Sequence, residues 1–299
     1  ETTLTLAPGK SWLTTLADSG YARITMTVTR HDGQILLQYE EHIADDLPLP
    51  SAATAPAQPE ALSNTDELYF IGQHLEQYNH ASRYAGDYYR RALEIDPLDY
   101  RNNVALGTLA LNQADWAQAE RCAKAALARA HHLNKNPRDG EASMLLAAAR
   151  ERQGDCQQAW DHYYKASWSG NCRDAAFWAL ARLAMARGDH ADALAKVTQS
   201  LRFNGSNNLA MGLKVLVLAE LGRTSEALKY IEQQRNDYPL SYVLHYARWA
   251  ICRDEPSKTA LIAITGRRGI NACELAGWLR SFGQKAAAHE LLELLDSQE

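Results

Sequence analysis

Histidine, cysteine and aspartate side chains stand close together in the sequence at two places, where they could hold a metal ion. Asp155, Cys156 and His162 lie within eight residues, yet Cys156 and His162 are six apart, and residues at that spacing do not share one face of a helix. His131 and His132 are adjacent, so on a helix their side chains point about 100° apart and do not easily converge on one zinc ion. The spacing therefore predicts no metal site.

The sequence also lacks the motifs that carry catalysis. It contains no GxSxG nucleophile elbow, no P-loop and no glycine-rich dinucleotide fingerprint. The segment TGRRGI at 265–270 has two glycines and two arginines, but no strand precedes it as a phosphate-binding loop requires, so it is typical of a basic connection. Carboxylate pairs such as Glu40–Glu41 stand in solvated contexts and show no sign of the convergence that a glycosidase needs. We predict that this chain is not an enzyme and binds no cofactor.

The composition limits the classes of protein to which the chain can belong. With 299 residues, of which 46% are hydrophobic and 22% charged, it is typical of a folded protein too long for one ordinary core. A net charge of −5 argues against a nucleic-acid partner, and no run of 18 apolar residues predicts a membrane span. The five cysteines form no CxxC and are odd in number, so we expect reduced thiols and a cytoplasmic location. Since the chain begins without Met, we expect a processed or excised piece.

Residues 1–43 are predicted to form an antiparallel β segment. Ile24, Met26 and Val28 alternate with polar residues, which is the period of a half-buried strand. A turn at Asp32-Gly33 follows, and ILLQYEEHI returns as a second strand. TTLTLAP and SWLTTLA would add one or two more strands. Since so few strands cannot cover their own apolar face, we expect the end of a larger β-domain or packing against the helices that follow.

Residues 44–64 are predicted to form a linker. Four of the nine prolines fall within these residues, and proline removes backbone donors and fixes φ. We expect an extended segment without helix or sheet, which could still lie along a surface as an ordered strap.

After residue 64, alanines recur at fixed strides, which indicates a repeat. Ala85, Ala119, Ala159, Ala193 and Ala227 are separated by 34, 40, 34 and 34 residues. Small residues at fixed places allow two antiparallel helices to approach closely. Glycine and aspartate occur together ahead of two of these alanines, as in Gly154-Asp155, where glycine suits a helix C-terminus and aspartate caps the next helix. Each unit is therefore predicted to be helix, turn, helix.

A period of 34 residues in helix pairs resembles the tetratricopeptide repeat (TPR). NNVALGTLALNQADWAQAERCAKAAL carries that family's Leu-Gly, Ala and Ala-Leu marks, and YYRRALEIDP carries its closing Asp-Pro. The resemblance implies a mainly α fold, an α-solenoid in which helix pairs form a right-handed superhelix. We expect five repeats over 65–237, with the insertion HHLNKNPRDGE in the longer stride, and degenerate, capping helical repeats over 238–299.

A narrower resemblance is carried by FIGQHLEQYNHASRYAGDYYRRALEIDP, NPRDGE and AWDHYYKASWSG. Together these segments resemble large bacterial proteins in which an N-terminal β-sandwich domain of unknown function, similar to sugar-processing domains, precedes a TPR tail. That resemblance implies that any catalytic machinery belongs to the N-terminal domain of such a protein.

The aromatic stretch around Trp160 permits two interpretations. Tyr163 falls on the second helix of the third unit at a position that packs inside the pair, and Trp160 and Tyr164 are expected to face the adjoining repeat. The cluster is thus mainly core. The alternative is that Tyr164 or Trp168 lines a ligand pocket beside the long loop.

A TPR stack usually binds its partner in a concave groove lined by the first helix of each unit. Transfer of the register to this sequence gives a set of candidate groove residues: Phe70, His74, Arg101, Thr108, Met144, Trp178 and Arg182. The arginines are suited to acidic groups, and the apolar side chains offer contact area. The Lys and Asn residues with which some TPRs hold chaperone tails are missing, which argues against that ligand.

Two functional hypotheses remain open at this point. The first is a non-catalytic module for protein–protein interaction or assembly within a larger protein, with a protein, a peptide or the protein's own N-terminal domain as partner. The second is an integral part of a carbohydrate-active enzyme, where the repeats wall the active site or drive homo-oligomerisation. Self-association would require an exposed apolar face, for which LIAIT and ELLELL are the candidates.

Overall fold

The computed structural model describes residues 2–5, 11–15, 20, 23–41, 51, 54–132, 134–266 and 269–296. The chain divides into two compact units, Glu1–Ala55 and Pro56–Glu299. Residues 42–50 and 52–53, which include much of the predicted linker, lie outside the described residues, as do parts of the two additional predicted strands.

The first unit contains the predicted β-hairpin. Strand β1, Thr25–Thr29, pairs antiparallel with β2, Ile35–Glu40, and a turn joins them in which Gly33 has a φ of 85°. Met26 lies opposite Tyr39, and Val28 lies opposite Leu37, so one face of the hairpin is apolar. The other strand predictions are wrong where they can be compared, because residues 2–5 and 11–15 form no strand.

The second unit is built of helices that follow one another through short turns. Their bounds are α1 Thr65–Gln77, α2 Ala85–Ile95, α3 Tyr100–Asn112, α4 Trp116–His131, α5 Glu141–Arg152, α6 Cys156–Ala166, α7 Arg173–Ala186, α8 His190–Phe203, α9 Asn208–Glu220, α10 Thr224–Asp237, α11 Tyr242–Cys252, α12 Glu255–Thr265, α13 Gly269–Arg280 and α14 Lys285–Asp296. Each odd-numbered helix packs against the even-numbered helix that follows it. The fold is a TPR-like α-solenoid, as predicted. Within the described residues, no helix is long and apolar enough to cross a bilayer.

The turns between paired helices have the predicted chemistry. Gly154 and Gly188 adopt φ values of 87° and 77°, which a side chain would strain, and the aspartates that follow them cap the next helices. The carboxylate of Asp155 accepts the Gln158 N–H at 3.1 Å. Ala114 holds the corresponding place between α3 and α4 with a φ of 63°, although it is not glycine.

The repeating alanines form the seams inside the pairs. Ala119, Ala159, Ala193 and Ala227 are fully buried, and Ala85 is nearly so. Contact is so close in the first pair that a Cβ on Gly72 would lie 2.4 Å from a ring carbon of Tyr89. The small side chains therefore set the distance between paired helices.

The first helices of the pairs form an inner layer. Helix α1 contacts α3, α3 contacts α5, α7 contacts α9, and α9 contacts α11. In the described part of the chain, the second helices make no comparable contacts with one another. The first helices consequently line the concave side of the solenoid, where the sequence places the candidate groove.

The last helix pair departs from a regular row. Trp278 on α13 approaches α9 so closely that a Cβ on Gly212 would lie 3.0 Å from its ring, and its ring meets that of Tyr246 on α11 at 6.1 Å. Beyond α13, a Cβ on Gly283 would lie 3.6 Å from the Cβ of Ala186 on α7. The pair α13–α14 thus folds back against the inner faces of α7, α9 and α11.

This packing buries much of the two segments named as self-association candidates. Leu291 of ELLELL is fully buried, and Leu294 packs against the same core, while Leu261 of LIAIT is also fully buried. Most apolar side chains of the two segments are thus buried or half-buried within their own chain, while Leu292 of ELLELL is 38% exposed.

The end of the predicted linker is also ordered, and one part of it is helical. Pro59–Ala61 form one turn of 3-10 helix with proline at its start, which corrects the expectation of a segment without helix. Leu62 is buried in the core of the first pair, and the Tyr88 hydroxyl donates to the Ala57 carbonyl at 2.8 Å. Residues 57–62 therefore lie along α2 as a strap.

Candidate functional site

The inner face is open at its N-terminal end, where aromatic rings and one arginine meet. Phe70 on α1 is 57% exposed and lies edge-on to Tyr69. The Arg101 guanidinium lies 5.0 Å from the Tyr69 ring centre and 5.5 Å from that of Phe70, and it pairs with the Asp66 carboxylate. The structure thus brings Phe70 and Arg101 together. Such a cationic and aromatic surface suits contact with another protein chain.

The other candidates of this half continue along α1, α3 and α5. His74 is exposed, and its ring lies 4.6 Å from that of Tyr78. Thr108 is exposed too, although its hydroxyl donates to the Val104 carbonyl of its own helix at 2.8 Å. Met144 is half-buried and packs into the core beneath α5, so it contributes an apolar edge to the surface.

The remaining two candidates, Trp178 and Arg182, lie where the inner face is closed. Trp178 is half-buried and packs against the core that the last helix pair completes. The Arg182 guanidinium donates to the two carboxylate oxygens of Glu151 at 2.8 and 3.1 Å and to the Ser281 carbonyl at 3.0 Å. Arg182 does meet an acidic group, as expected of it, but that group belongs to its own chain.

Glu151 is the electrostatic centre of this closed half. It also accepts the Tyr163 hydroxyl at 2.7 Å. Burial by itself would raise the pKa of Glu151, but the hydrogen bonds and positive charge of Arg182, with help from Tyr163 and Arg152, outweigh burial and lower it. Burial and the neighbouring carboxylate raise the pKa of Tyr163. Glu151 is therefore an anion held inside the fold, which ties α5 to α6, α7 and the turn before α14.

The aromatic stretch of α6 lies on the outer side of the solenoid. Tyr163 is buried inside the pair, as predicted, and Trp160 is half-buried against the neighbouring helices. Tyr164 and Trp168 are 46% and 57% exposed. The expectation that Tyr164 faces the adjoining repeat is therefore met only in part, since its ring forms an open surface with Trp168.

The described residues contain no cluster of metal ligands. No group of three or more histidine, cysteine, aspartate or glutamate side chains converges there. Cys122 and Cys172 are buried, and burial raises the pKa of both thiols, which makes them poor nucleophiles.

Comparison with known families agrees with the architecture. Residues 104–171 and 179–237 match the family model described as tetratricopeptide repeat. These two segments therefore match tetratricopeptide repeats. Each matched TPR segment begins within a first helix and ends at or just after a second helix, so the repeats coincide with the helix pairs from α3 to α10.

Solved structures share the fold at low sequence identity. The C-terminal part of a TPR protein from Cytophaga hutchinsonii is 10% identical with a TM-score of 0.55, and the alignment covers 79% of this chain and 96% of that one. A TPR protein from Parabacteroides merdae is 16% identical with a TM-score of 0.52 and coverages of 80% and 87%. The APC/C hetero-tetramer Cut9–Hcn1 provides a chain that is 12% identical, with a TM-score of 0.55 and coverages of 77% and 42%.

Sequence reasoning missed several residues of these TPR surfaces. Tyr69 was absent from the candidates, although it stands beside Phe70 and lies under Arg101. Glu151 and Trp278 were absent as well. Glu151 stands 31 residues before Arg182, close to the repeat length, and this spacing was the signal that could have found it. Trp278 carried no such signal, because it contacts the inner face outside the repeat register.

Proposed function

We propose that this chain is a non-catalytic TPR module for protein–protein interaction or assembly, and that it binds a protein or peptide partner on the open part of its inner face. The observation that carries the proposal is the exposed surface of Phe70, Tyr69 and Arg101. A large exposed aromatic side chain with a cation over it is typical of interface anchors, where a few aromatic and arginine residues carry most of the binding energy. His74, Thr108 and Met144 extend this surface along the inner layer.

The closed half supports the same assignment. Trp178 and Arg182 make contacts within their own chain, so a partner on the inner face is confined to α1, α3 and α5 unless α13–α14 moves. The chemistry suits a segment with one bulky apolar side chain and an acidic group, because Arg101 can exchange Asp66 for a carboxylate of the partner at little cost when the pair is exposed.

We also propose that the module belongs to a larger bacterial protein in the cytoplasm. Support for a larger protein comes from the hairpin, since Met26, Leu37 and Tyr39 on its apolar face are each more than 40% exposed. A two-stranded hairpin alone is marginally stable in water, so such a face calls for a covering β-structure. The partner of the inner face would then be another protein or a neighbouring domain of the same protein.

Site-specific photo-cross-linking tests the proposal. A benzoylphenylalanine at Thr108, exposed on the inner layer, is expected to cross-link a defined partner in the native cell, whereas the same group at exposed Ala128 on α4 is not. Phe70→Ala should abolish the cross-link at Thr108. Equal products from both positions, or products that Phe70→Ala leaves unchanged, would contradict binding on the inner face. A cross-link to a second copy would identify homo-oligomerisation as the function of this face.

The alternative, an integral part of a carbohydrate-active enzyme, has a separate test. Turnover of any glycoside by this chain would contradict the non-catalytic assignment. If Phe70→Ala in a longer protein that contains these repeats abolished glycoside turnover without unfolding the protein, the result would favour the alternative in which the repeats wall an active site.

A further inference from the structure

The outer surface of α6 carries a second exposed aromatic feature, which is separate from the inner face. Trp160, Tyr164 and Trp168 follow one another at intervals of four residues, so they form a stripe along one side of the helix and its C-terminal turn. With Asp161 and Lys165 they line a cleft of about 380 Å³. We call this cleft the aromatic notch.

The rings in the aromatic notch define a recess and not a flat platform. The planes of Tyr164 and Trp168 are inclined by 74° with their centres 6.2 Å apart. The half-buried Trp160 forms the floor, because it packs into the cores on both sides of α6. A single bulky apolar side chain fits such a recess, because aromatic rings favour inclined, edge-to-face contacts.

Positive charge surrounds the notch. The Lys165 ammonium lies 4.4 Å from the Trp168 ring centre, and the Arg187 guanidinium lies 4.0 Å from that of Trp160. Lys196 lies 5.5 Å from the Tyr164 ring centre. Within the described residues, Lys196 pairs with Asp192 at 3.6 Å, whereas no carboxylate pairs with Lys165 or Arg187. Asp161 is the acid on the rim, so the cations exceed the local carboxylates.

We propose that the aromatic notch is a docking site for an acidic peptide segment that carries a bulky apolar side chain. The apolar side chain enters between Tyr164 and Trp168 and rests on Trp160. Carboxylates on either side of it pair with Lys165 and Arg187, which are already held over the rings and therefore lose little conformational freedom on binding. Charge complementarity selects the acidic partner, and the recess selects the bulky residue.

Fluorescence anisotropy with a labelled nine-residue peptide tests this site. The probe has a central phenylalanine between aspartates, and two matched probes replace either the phenylalanine by alanine or the aspartates by asparagines. The acidic phenylalanine peptide is expected to bind, and each matched probe is expected to bind at least about fivefold more weakly. Raising the salt from about 0.05 to 0.3 M should weaken binding several-fold, because exposed charges are screened.

Variants separate the notch from other surfaces. Trp168→Ala should weaken binding about tenfold or more, and Lys165→Glu should weaken it several-fold. Tyr84→Ala is the matched control, since Tyr84 is a 41% exposed aromatic residue with the Arg90 guanidinium 5.6 Å from its ring centre and lies outside both proposed surfaces, and this variant should bind as the native chain does. Phe70→Ala reports separately whether the probe also binds the inner face, because Phe70 lies on α1 whereas Trp168 lies in the turn after α6.

Three results would overturn the assignment. The first is failure of the acidic phenylalanine peptide to bind at about millimolar concentration. The second is equal binding to the native chain and to Trp168→Ala. The third is that the peptide does not bind, whereas a linear glucan oligosaccharide or anionic phospholipid vesicles bind to the native chain and not to Trp168→Ala. That result would assign the notch to a carbohydrate or a membrane surface.

Discussion

Replacement of Arg182 by methionine would remove the central link of the closed half while keeping an apolar side chain of similar length. The variant loses three hydrogen bonds, two to Glu151 and one to the Ser281 carbonyl. The side chains of Arg182 and Glu151 are only 14% and 19% exposed, so Glu151 would remain as a largely buried charge without its partner. Loss of one member of a buried pair costs about 3–5 kcal/mol, and because some water reaches this pair we expect about 3 kcal/mol.

Arg101→Met is the matched control for this prediction. Arg101 also stands on a first helix, lies over aromatic rings and pairs with a carboxylate of the preceding first helix, Asp66. Its side chain and that of Asp66 are 40% and 60% exposed, and exposed pairs contribute about 0–1 kcal/mol. The two variants should therefore differ by about 2 kcal/mol, a factor of about 30 in the unfolding equilibrium.

Urea denaturation followed by far-UV circular dichroism measures this difference. A double variant, Arg182→Met with Glu151→Gln, should recover part of the loss, because the unpaired buried charge is gone. Hydrogen exchange should also rise in α13 and in the turn that contains Ser281. If Arg182→Met and Arg101→Met cost the same, within about 0.5 kcal/mol, or if exchange in α13 stays unchanged, the reasoning about the closed half is refuted.

Three further predictions follow from local geometry and charge. Ala114→Gly should raise the free energy of unfolding by about 0.5–1 kcal/mol, because glycine adopts the left-handed φ of this position without strain. The same change at Ala128, inside α4, should lower the free energy of unfolding by about as much. Thermal melts of both variants check this difference in sign. Because folding lowers the pKa of Glu151, this group contributes its full stabilisation above its ordinary pKa near 4.5 and loses it as the pH falls below that value. In urea titrations at pH 3–6, the free energy of unfolding should therefore decline more steeply with falling pH for the native chain than for Glu151→Gln. Equal slopes would contradict this prediction. Gly72→Ala should lower the unfolding free energy by about 1–3 kcal/mol, because the new methyl meets the Tyr89 ring, and a melt at or above the native temperature would contradict this close contact.

The helix pairs were predictable because their cause is local and recurs. A small residue such as Ala119 or Ala193 is required where two helices approach closely, and glycine, as at Gly154 or Gly188, is favoured where the turn takes a positive φ. Each requirement repeats with the helix pair, so a fixed stride along the sequence detects it. The hairpin was predictable for the same kind of reason, since alternation and an Asp-Gly turn specify it locally.

The closure of the inner face was not predictable in this way. Arg182 and Ser281 are 99 residues apart, and contacts at such a separation leave no period in the sequence. Trp178 was assigned to an open groove because the register fixes which side of the helix it occupies. The register does not report that α13 covers that side. The exposure of Tyr164 also depends on how far neighbouring helices extend beside α6, which the spacing of aromatics does not encode.

An engineered disulfide tests the closed inner face most directly. Ala186→Cys and Gly283→Cys, in a chain whose exposed Cys156 and Cys273 are replaced by serine, would place two Cβ atoms about 3.6 Å apart, within the 3.5–4.5 Å range of disulfides. Because Gly283 has a φ of 86°, the cysteine there costs about 1–2 kcal/mol, and circular dichroism of the reduced variant checks that the fold is kept. In a regular row, α7 and α13 would be three inner helices apart, roughly 25–30 Å at 8–10 Å per step. The folded-back helix pair predicts near-complete cross-linking on mild oxidation. It predicts no cross-linking when Gly277→Cys replaces Gly283→Cys. Two free thiols after oxidation of the Ala186–Gly283 pair would contradict it.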